Sequence, residues 1–380
     1  MNQVSSLKYW IWLSSISGVS PVTASRLLKH FGTPELVFHA DSREYKDVEG
    51  VKTSDVGKLS GKNIGAANNA IEACAAIGCR VITLQDSEYP DRLRNIYDPP
   101  IVLYVLGRLP DIDDMPVVAV VGTRDCTPYG LGAAEGIGYD LSRNGFIVAT
   151  GLARGIDTAA ARGALRAGGT VLGVIGSGLD IIYPRENKTL FEDVINSGAI
   201  ISEYPPGTPA LRIHFPARNR IISGLSLGVA VIEAPKQSGA LITASRALEQ
   251  GRDVFTVPGN VNAKSCEGSN ALLREGAIPV LSAEDIISEY KDLLPEKTVK
   301  KEIDNIIGVE YIDLDKIFID LCGDERIVAE TIGAKTMHVD EIIFATGMSA
   351  QKALSVLTML EINGHVVRTD NGEFKLRGLA

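Results

Sequence analysis

Along the chain the apolar positions change period twice. Residues 1 to about 75 repeat them at helical spacing, as in "SSLKYWIWLSSI", and "SPVTASRLLKHFG" adds an N-cap at Ser20, Pro21 at the first helical position and a stop at Gly32. From about 80 to 290 short, continuously apolar runs alternate with helical ones. The runs are "RVITL" (80–84), "IVLYVLG" (101–107), "VVAVVG" (117–122), "FIVATG" (146–151), "TVLGVIG" (170–176), "AIISEY" (199–204), "LGVAVIEA" (227–234), "DVFTVPG" (253–259) and "IPVLS" (278–282). Strands apolar on both faces, joined by helices that close on Gly, predict an α/β fold with a parallel, doubly wound sheet. Residues 291–305, charged and broken by a Pro, read as a linker. Beyond it "DLDKIFIDLC" (313–322), "HVDEIIFATG" (338–347) and "SAQKALSVLTMLEING" (349–364) predict three helices. "HVVRTDNGEFKLRG", with Asn371-Gly372 between alternating residues, predicts a hairpin, which completes a winged helix-turn-helix over 306–380.

Two short Gly turns in the first segment, "ISGVSP" (16–21) and "VEGVKT" (48–53), each precede a helix-compatible run. The spacing resembles that of tandem helix-hairpin-helix units, whose turn amides can hold a phosphate; a small helical bundle is the simpler reading and the preferred one.

A chain of 380 residues has room for two or three domains. Its apolar runs are far too short to span a bilayer and no basic leader opens it, so a cytoplasmic protein without membrane contact is expected. Five cysteines without a CxxC pair and five scattered histidines support neither a disulfide frame nor a metal site. The net charge of -9 argues against a surface coated for duplex DNA, but the sign reverses locally. Between Pro205 and Arg252 stand Arg212, Arg218, Arg220, Lys236, Arg246 and Arg252 against only Glu233 and Glu249. With no acid close in sequence, Arg218 and Arg220 of "FPARNRIISGLS" are expected to serve a ligand.

In an open parallel sheet, ligands bind beyond the carboxyl ends of the strands, where the winding reverses. Four turns at that edge carry suitable groups. "GTRDCTPYG" offers Gly122, Thr123 and Arg124; "TGLARGIDTAA" offers Gly151 and Gly155 at a helix start; "GSGLDIIYPRENKTLF" offers Arg185 and Lys188; "APKQSGALITASRA" offers Lys236, Ser238 and Gly239. Arg154 reads equally as a phosphate contact or as a salt bridge to Asp157 or a neighbour. Asp157, Asp180 and Glu203, each beside a Gly or Pro turn, read as carboxylates bonded to backbone amides.

Much chemistry is excluded. The dinucleotide fingerprint GxGxxG is out of register, and there is no Walker A lysine, no GxSxG elbow and no HxE with CxxC. The competing class is a Rossmann-type nucleotide or phosphosugar hydrolase, with Gly151, Ser238 and Gly239 cradling the phosphate and Glu233 as acid-base group.

"YPDRLRNIYDPPIVLYVLG", "AVVGTRDCTPYG", "TGLARGIDTAAARGAL", "GSGLDIIYPRENKTL", "SEYPPGTP", "FPARNRIISGLS", "SGALITASRALEQGRDVFTVPG" and "EGSNALLREGA", in this order over about 80–290, resemble the bacterial DNA-processing protein DprA (Smf) family. The resemblance implies an extended Rossmann domain between a helical N-terminal domain (1–75) and the winged C-terminal one. It implies a protein that is not an enzyme, needs no cofactor, protects incoming single-stranded DNA in natural transformation and loads RecA onto it. It also implies a homodimer built near 254–282. Carried over by motif, Arg124, Arg185, Arg218, Asn219, Arg220 and Lys236 line the DNA groove, with Lys188 close to a position that faces a base. A cationic groove with backbone donors suits a single strand, and binding is expected to weaken steeply with salt.

Overall fold

The computed structural model describes residues 3–293, 323–332, 336–363, 365–369 and 373–376. The chain divides into two compact units, residues 1–294 and 295–380.

The first unit is built on a nine-stranded sheet: β1 (Arg80–Thr83), β2 (Val102–Gly107), β3 (Val117–Val121), β4 (Ile147–Thr150), β5 (Val171–Ile175), β6 (Ala199–Ser202), β7 (Gly228–Val231), β8 (Asp253–Thr256) and β9 (Ile278–Pro279). Their order is β1-β2-β6-β5-β4-β3-β7-β8-β9. Each expected strand is present. From β6 to β9 all neighbours are parallel, while β2 runs antiparallel to both β1 and β6. The reason lies in the connections: the link from Gly107 to Val117 carries no helix, too little chain for the usual crossover between parallel strands. It delivers the chain from the end of β2 to the start of β3 along one edge.

Alternate residues of β3 enter different cores. Val118 and Val120 join one, Val117, Ala119 and Val121 the other. The first core receives α7 (Pro128–Arg143), α8 (Ile156–Arg166) and α9 (Lys188–Ser197); the second receives α10 (His214–Leu225) and α11 (Gly239–Glu249). Burial on both faces explains why β3 to β7 read as unbroken apolar runs instead of alternating ones.

The N-terminal helices α1 (Gln3–Ser15), α2 (Pro21–Phe31), α3 (Pro34–His39), α4 (Thr53–Leu59) and α5 (Gly65–Ala76) belong to the same unit, and a single turn, α6 (Asp91–Arg94), follows β1. Trp10, Trp12 and Leu27 sit in one continuous cluster with Val102 and Tyr104 of β2, so the helical segment shares its core with the sheet. Ser20 caps α2 as expected, accepting from the Thr23 amide, and Gly32 closes it at φ +88°.

The second unit contains a helix at Asp324–Ile332, a second at Val339–Thr346 and a third at Ala350–Ile362, followed by strands Val366–Arg368 and Phe374–Leu376 in antiparallel pairing. Val328, Ile342, Leu357, Leu360 and Phe374 form its core. The expected helix at 313–322 and the turn at Asn371-Gly372 lie outside the described residues. The helix at Asp324–Ile332 is not announced by the apolar pattern, because its first turn is acidic and polar. Among the described residues no single helix is long and apolar enough to cross a membrane.

Candidate nucleic-acid interface

The winding runs outward from β3 through β4 and β5 to β6, then returns to the other flank of β3 with β7. The reversal therefore opens a crevice beyond the ends of β3 and β7. A cleft of about 340 Å³ lies there, walled by Gly122–Asp125, Ala153, Asp157, Phe215, Arg218, Asn219, Pro235 and Gln237–Ala240; Lys236 lines the adjoining groove along α11 and not the cleft. The two strand ends are tied across it, the Thr123 amide donating to the Glu233 carbonyl at 2.7 Å. Gly155, at φ +76°, lets the β4–α8 turn approach the β3 turn so closely that a Cβ there would lie 2.4 Å from the Thr123 carbonyl oxygen.

Arg218 forms the floor. Its side chain enters from α10, its Nη1 donates to the Val174 carbonyl, and its Nε has no partner among the described residues. Only 5% of Arg218 is exposed. A Cβ on Gly151 would lie 2.0 Å from the Arg218 Nη1, so that glycine makes room for the guanidinium. Burial pushes the guanidinium pKa down to about 10 against the pull of Asp157, which leaves it cationic at neutral pH. Asp157 in turn accepts from the Gly151 amide at 3.0 Å and the Ala153 amide at 3.4 Å. Burial raises its pKa, opposed by Arg218 and these amides. The floor is thus a cation fixed by the Val174 carbonyl with Asp157 beside it, and a positive charge held at the cleft wall favours an anionic ligand.

The rim carries the exposed charges. Arg124 stands 5.1 Å over the Phe215 ring, Lys236 is exposed and has no ion pair among the described residues, and Ser238 caps α11 through the Ala240 amide. Gly239 is exposed, and its carbonyl accepts from Asn219 Nδ2 at 3.2 Å, so Asn219 braces the start of α11. Thr123 is buried, its hydroxyl accepting from the Asp125 amide. Arg185 and Lys188 are exposed but do not wall the cleft; their segment is pinned beside it by Asn187, which donates to the Leu152 carbonyl and the Thr158 hydroxyl. Arg154 pairs with Glu186, not with Asp157.

Arg220 departs from expectation. It projects away from the switch cleft, Nη2 meeting both Glu203 carboxylate oxygens at 2.7 Å and Nε facing Asp98 at 3.3 Å. The reason is helical: positions two apart point about 200° from one another, so Arg218 and Arg220 cannot face the same cleft. The acids missing from the local sequence arrive through the fold, Asp157 beside Arg218 and Glu203 with Asp98 beside Arg220. Asp157 and Asp180 do bind backbone amides, Asp180 accepting from Gly207, whereas Glu203 serves Arg220. Glu233, the acid-base group of the hydrolase reading, accepts from the Thr127 amide and hydroxyl, both at 3.0 Å, and does not wall the cleft.

Sequence reasoning missed the aromatics. Tyr183, 47% exposed, lies with its ring 5.9 Å from Phe215, so a tilted pair stands under Arg124 at the mouth. Both residues lie in quoted motifs, and their setting among arginines was the available signal.

The model for DNA recombination-mediator protein A matches residues 80–291, more than half of the chain, and the DprA winged helix domain model matches 320–372. The chain belongs to the DNA recombination-mediator protein A family. Protein Smf of Synechocystis is 40% identical over 395 residues, covering 97% of this chain and 98% of that protein. The DNA processing protein DprA of Streptococcus pneumoniae is 46% identical over 209 residues, 55% of this chain and 73% of that one. The X-ray structure of DprA from Streptococcus pneumoniae superposes with TM-score 0.66 at 36% identity, covering 74% of this chain and 97% of that one. A structure addressing the single-stranded DNA binding mode of DNA processing protein A from Helicobacter pylori superposes with TM-score 0.52 at 28% identity, over 57% and 98%. The switch cleft and its rim fall wholly within the stretch matched by the DNA recombination-mediator protein A model.

Proposed function

We propose that this chain binds single-stranded DNA across the β3–β7 switch cleft, and that it protects incoming strands in natural transformation and loads RecA onto them. The observation that carries the reading is the cleft itself: a fixed guanidinium, Arg218, on its floor, ring-stacked Arg124 on its rim, exposed Lys236 in the adjoining groove, and a Tyr183–Phe215 pair at its mouth. Splayed phosphates want the cations and unstacked bases want the rings. A duplex offers no free base faces, so it loses the second contribution. The Helicobacter pylori relative, described for its single-stranded DNA binding, supports the same ligand here.

The test is fluorescence anisotropy of a labelled single strand with duplex and mononucleotide as competitors. Salt-sensitive binding that neither competitor displaces at equal nucleotide concentration supports the reading; displacement by the mononucleotide supports the hydrolase class instead. Stimulated assembly of RecA on the bound strand tests the loading step.

A homodimer through the β8–β9 end completes the proposal. Val261 and Leu281, 85% and 86% exposed, follow β8 and β9 at that end of the sheet and offer apolar surface to a second copy. Val261→Asp with Leu281→Asp is expected to convert a dimer to a monomer in light scattering after gel filtration. An unchanged mass would place the interface elsewhere.

A further inference from the structure

We infer that the bound strand continues from the switch cleft onto the N-terminal helices, where a second cationic cleft takes its backbone and Tyr97 takes a base. The inference rests on the single-strand reading above and extends it.

The first observation is continuity. The switch cleft shares Gln237, Ser238 and Gly239 with a groove along α11 whose far end holds Arg246 and Glu249. Arg246 also walls a larger cleft between α10 and the Ser14–Pro21 turn, and that cleft shares Gly18 and Ser20 with one on the N-terminal helices. The clefts therefore adjoin one another from Arg218 to α2 and α4; Lys236 stands along them as a cation, while Arg246 is paired with Glu249 at 2.6 Å.

The second observation is charge. The last cleft gathers Arg26, Lys52 and Lys58 with a single acid, Asp55, among its walls. Residues 1–76 hold eight Lys and Arg against seven Asp and Glu, so three of eight cations and one of seven acids have been brought to one place. Asp55 is buried and already faces Lys58 at 3.7 Å. Lys58 donates to the Gly18 carbonyl at 2.9 Å and Arg26 to the Gly50 carbonyl at 3.2 Å, each reaching across to the other Gly turn. These bonds hold the two cations in place while leaving further N–H groups for an anion. Lys52 is exposed and pairs with nothing among the described residues.

The third observation is Tyr97. It walls this cleft, is 80% exposed and has neither a ring partner nor a hydrogen bond among the described residues. An aromatic face beside several cations is the combination that holds single strands without reading their sequence.

The experiment compares Lys52→Glu/Tyr97→Ala with wild type on labelled oligonucleotides of about 6 and about 30 nucleotides, lengths bracketing a single binding module. Both positions are exposed, so melting should not change, and Lys52→Gln/Tyr97→Ala guards against a charge-reversal artefact. Expected is roughly tenfold weaker binding of the long strand by both variants, with the short strand unaffected. Equal affinity of variants and wild type on both lengths overturns the extended track, even where the switch cleft binds. Failure of wild type to bind either length overturns the single-strand reading itself and the track with it.

Discussion

Alanine at Arg124 and Lys236 together is expected to weaken single-strand binding by about 100-fold near 0.1 M salt while the protein melts at its wild-type temperature. Hydrogen bonds to charged groups contribute about 1.5–3 kcal/mol each, so loss of two phosphate contacts suffices for that factor. Both side chains are exposed, and neither has an ion pair among the described residues, so their removal strands no buried charge. The log–log salt slope should also fall by about 1.4, since each contact on a single strand releases roughly 0.7 of a counterion. Anisotropy titrations at several salt concentrations read both quantities. An unchanged slope would mean that these cations do not meet phosphate. Arg218→Ala is a less clean test of binding, because it also removes the partner of buried Asp157.

Arg220→Ala should act on stability. Arg220 meets both Glu203 oxygens through Nη2, with only 5% and 16% of the two side chains exposed, and Asp98 adds a second carboxylate at Nε. Removing one member of a buried pair leaves its partner charged and uncompensated, at about 3–5 kcal/mol. For a unit of this size the melting temperature should drop on the order of 10 °C. Lysine at this position should restore little, since the guanidinium meets Glu203 through Nη2 and Asp98 through Nε, and one compact ammonium cannot span both carboxylates in the same way. Differential scanning calorimetry of the two variants decides the matter. If Arg220→Ala instead melts normally and loses DNA, Arg220 is a ligand contact and its ion pair is incidental.

These two arginines show where the sequence is legible and where it stops. The period of the apolar positions announces the nine strands of the large sheet, most plainly β3 to β7, where burial on both faces leaves continuous Val, Ile and Ala runs. It does not announce the direction of β2, which depends on a link too short to cross over. Of the cations between 205 and 252, the fold brings Arg218 to the switch cleft, while Arg220 and Arg246 meet acids. Yet partners from 61 and 17 residues upstream, Asp157 and Glu203, are brought to Arg218 and Arg220 only by the sheet order, and no local count of charges reveals them. The opposite facing of residues 218 and 220 follows from helical geometry alone and was available from the start. The Tyr183–Phe215 pair joins two turns after different strands, so only the folded sheet makes it a single platform.

The most direct test of the account is photocrosslinking of a single strand carrying 5-iodouracil, with the attached peptides identified by mass spectrometry. Adducts are expected at Tyr183 and Phe215, at the mouth of the switch cleft, competed away by unlabelled single strand. Adducts confined to residues 323–376 would contradict it and move the binding site to the winged unit.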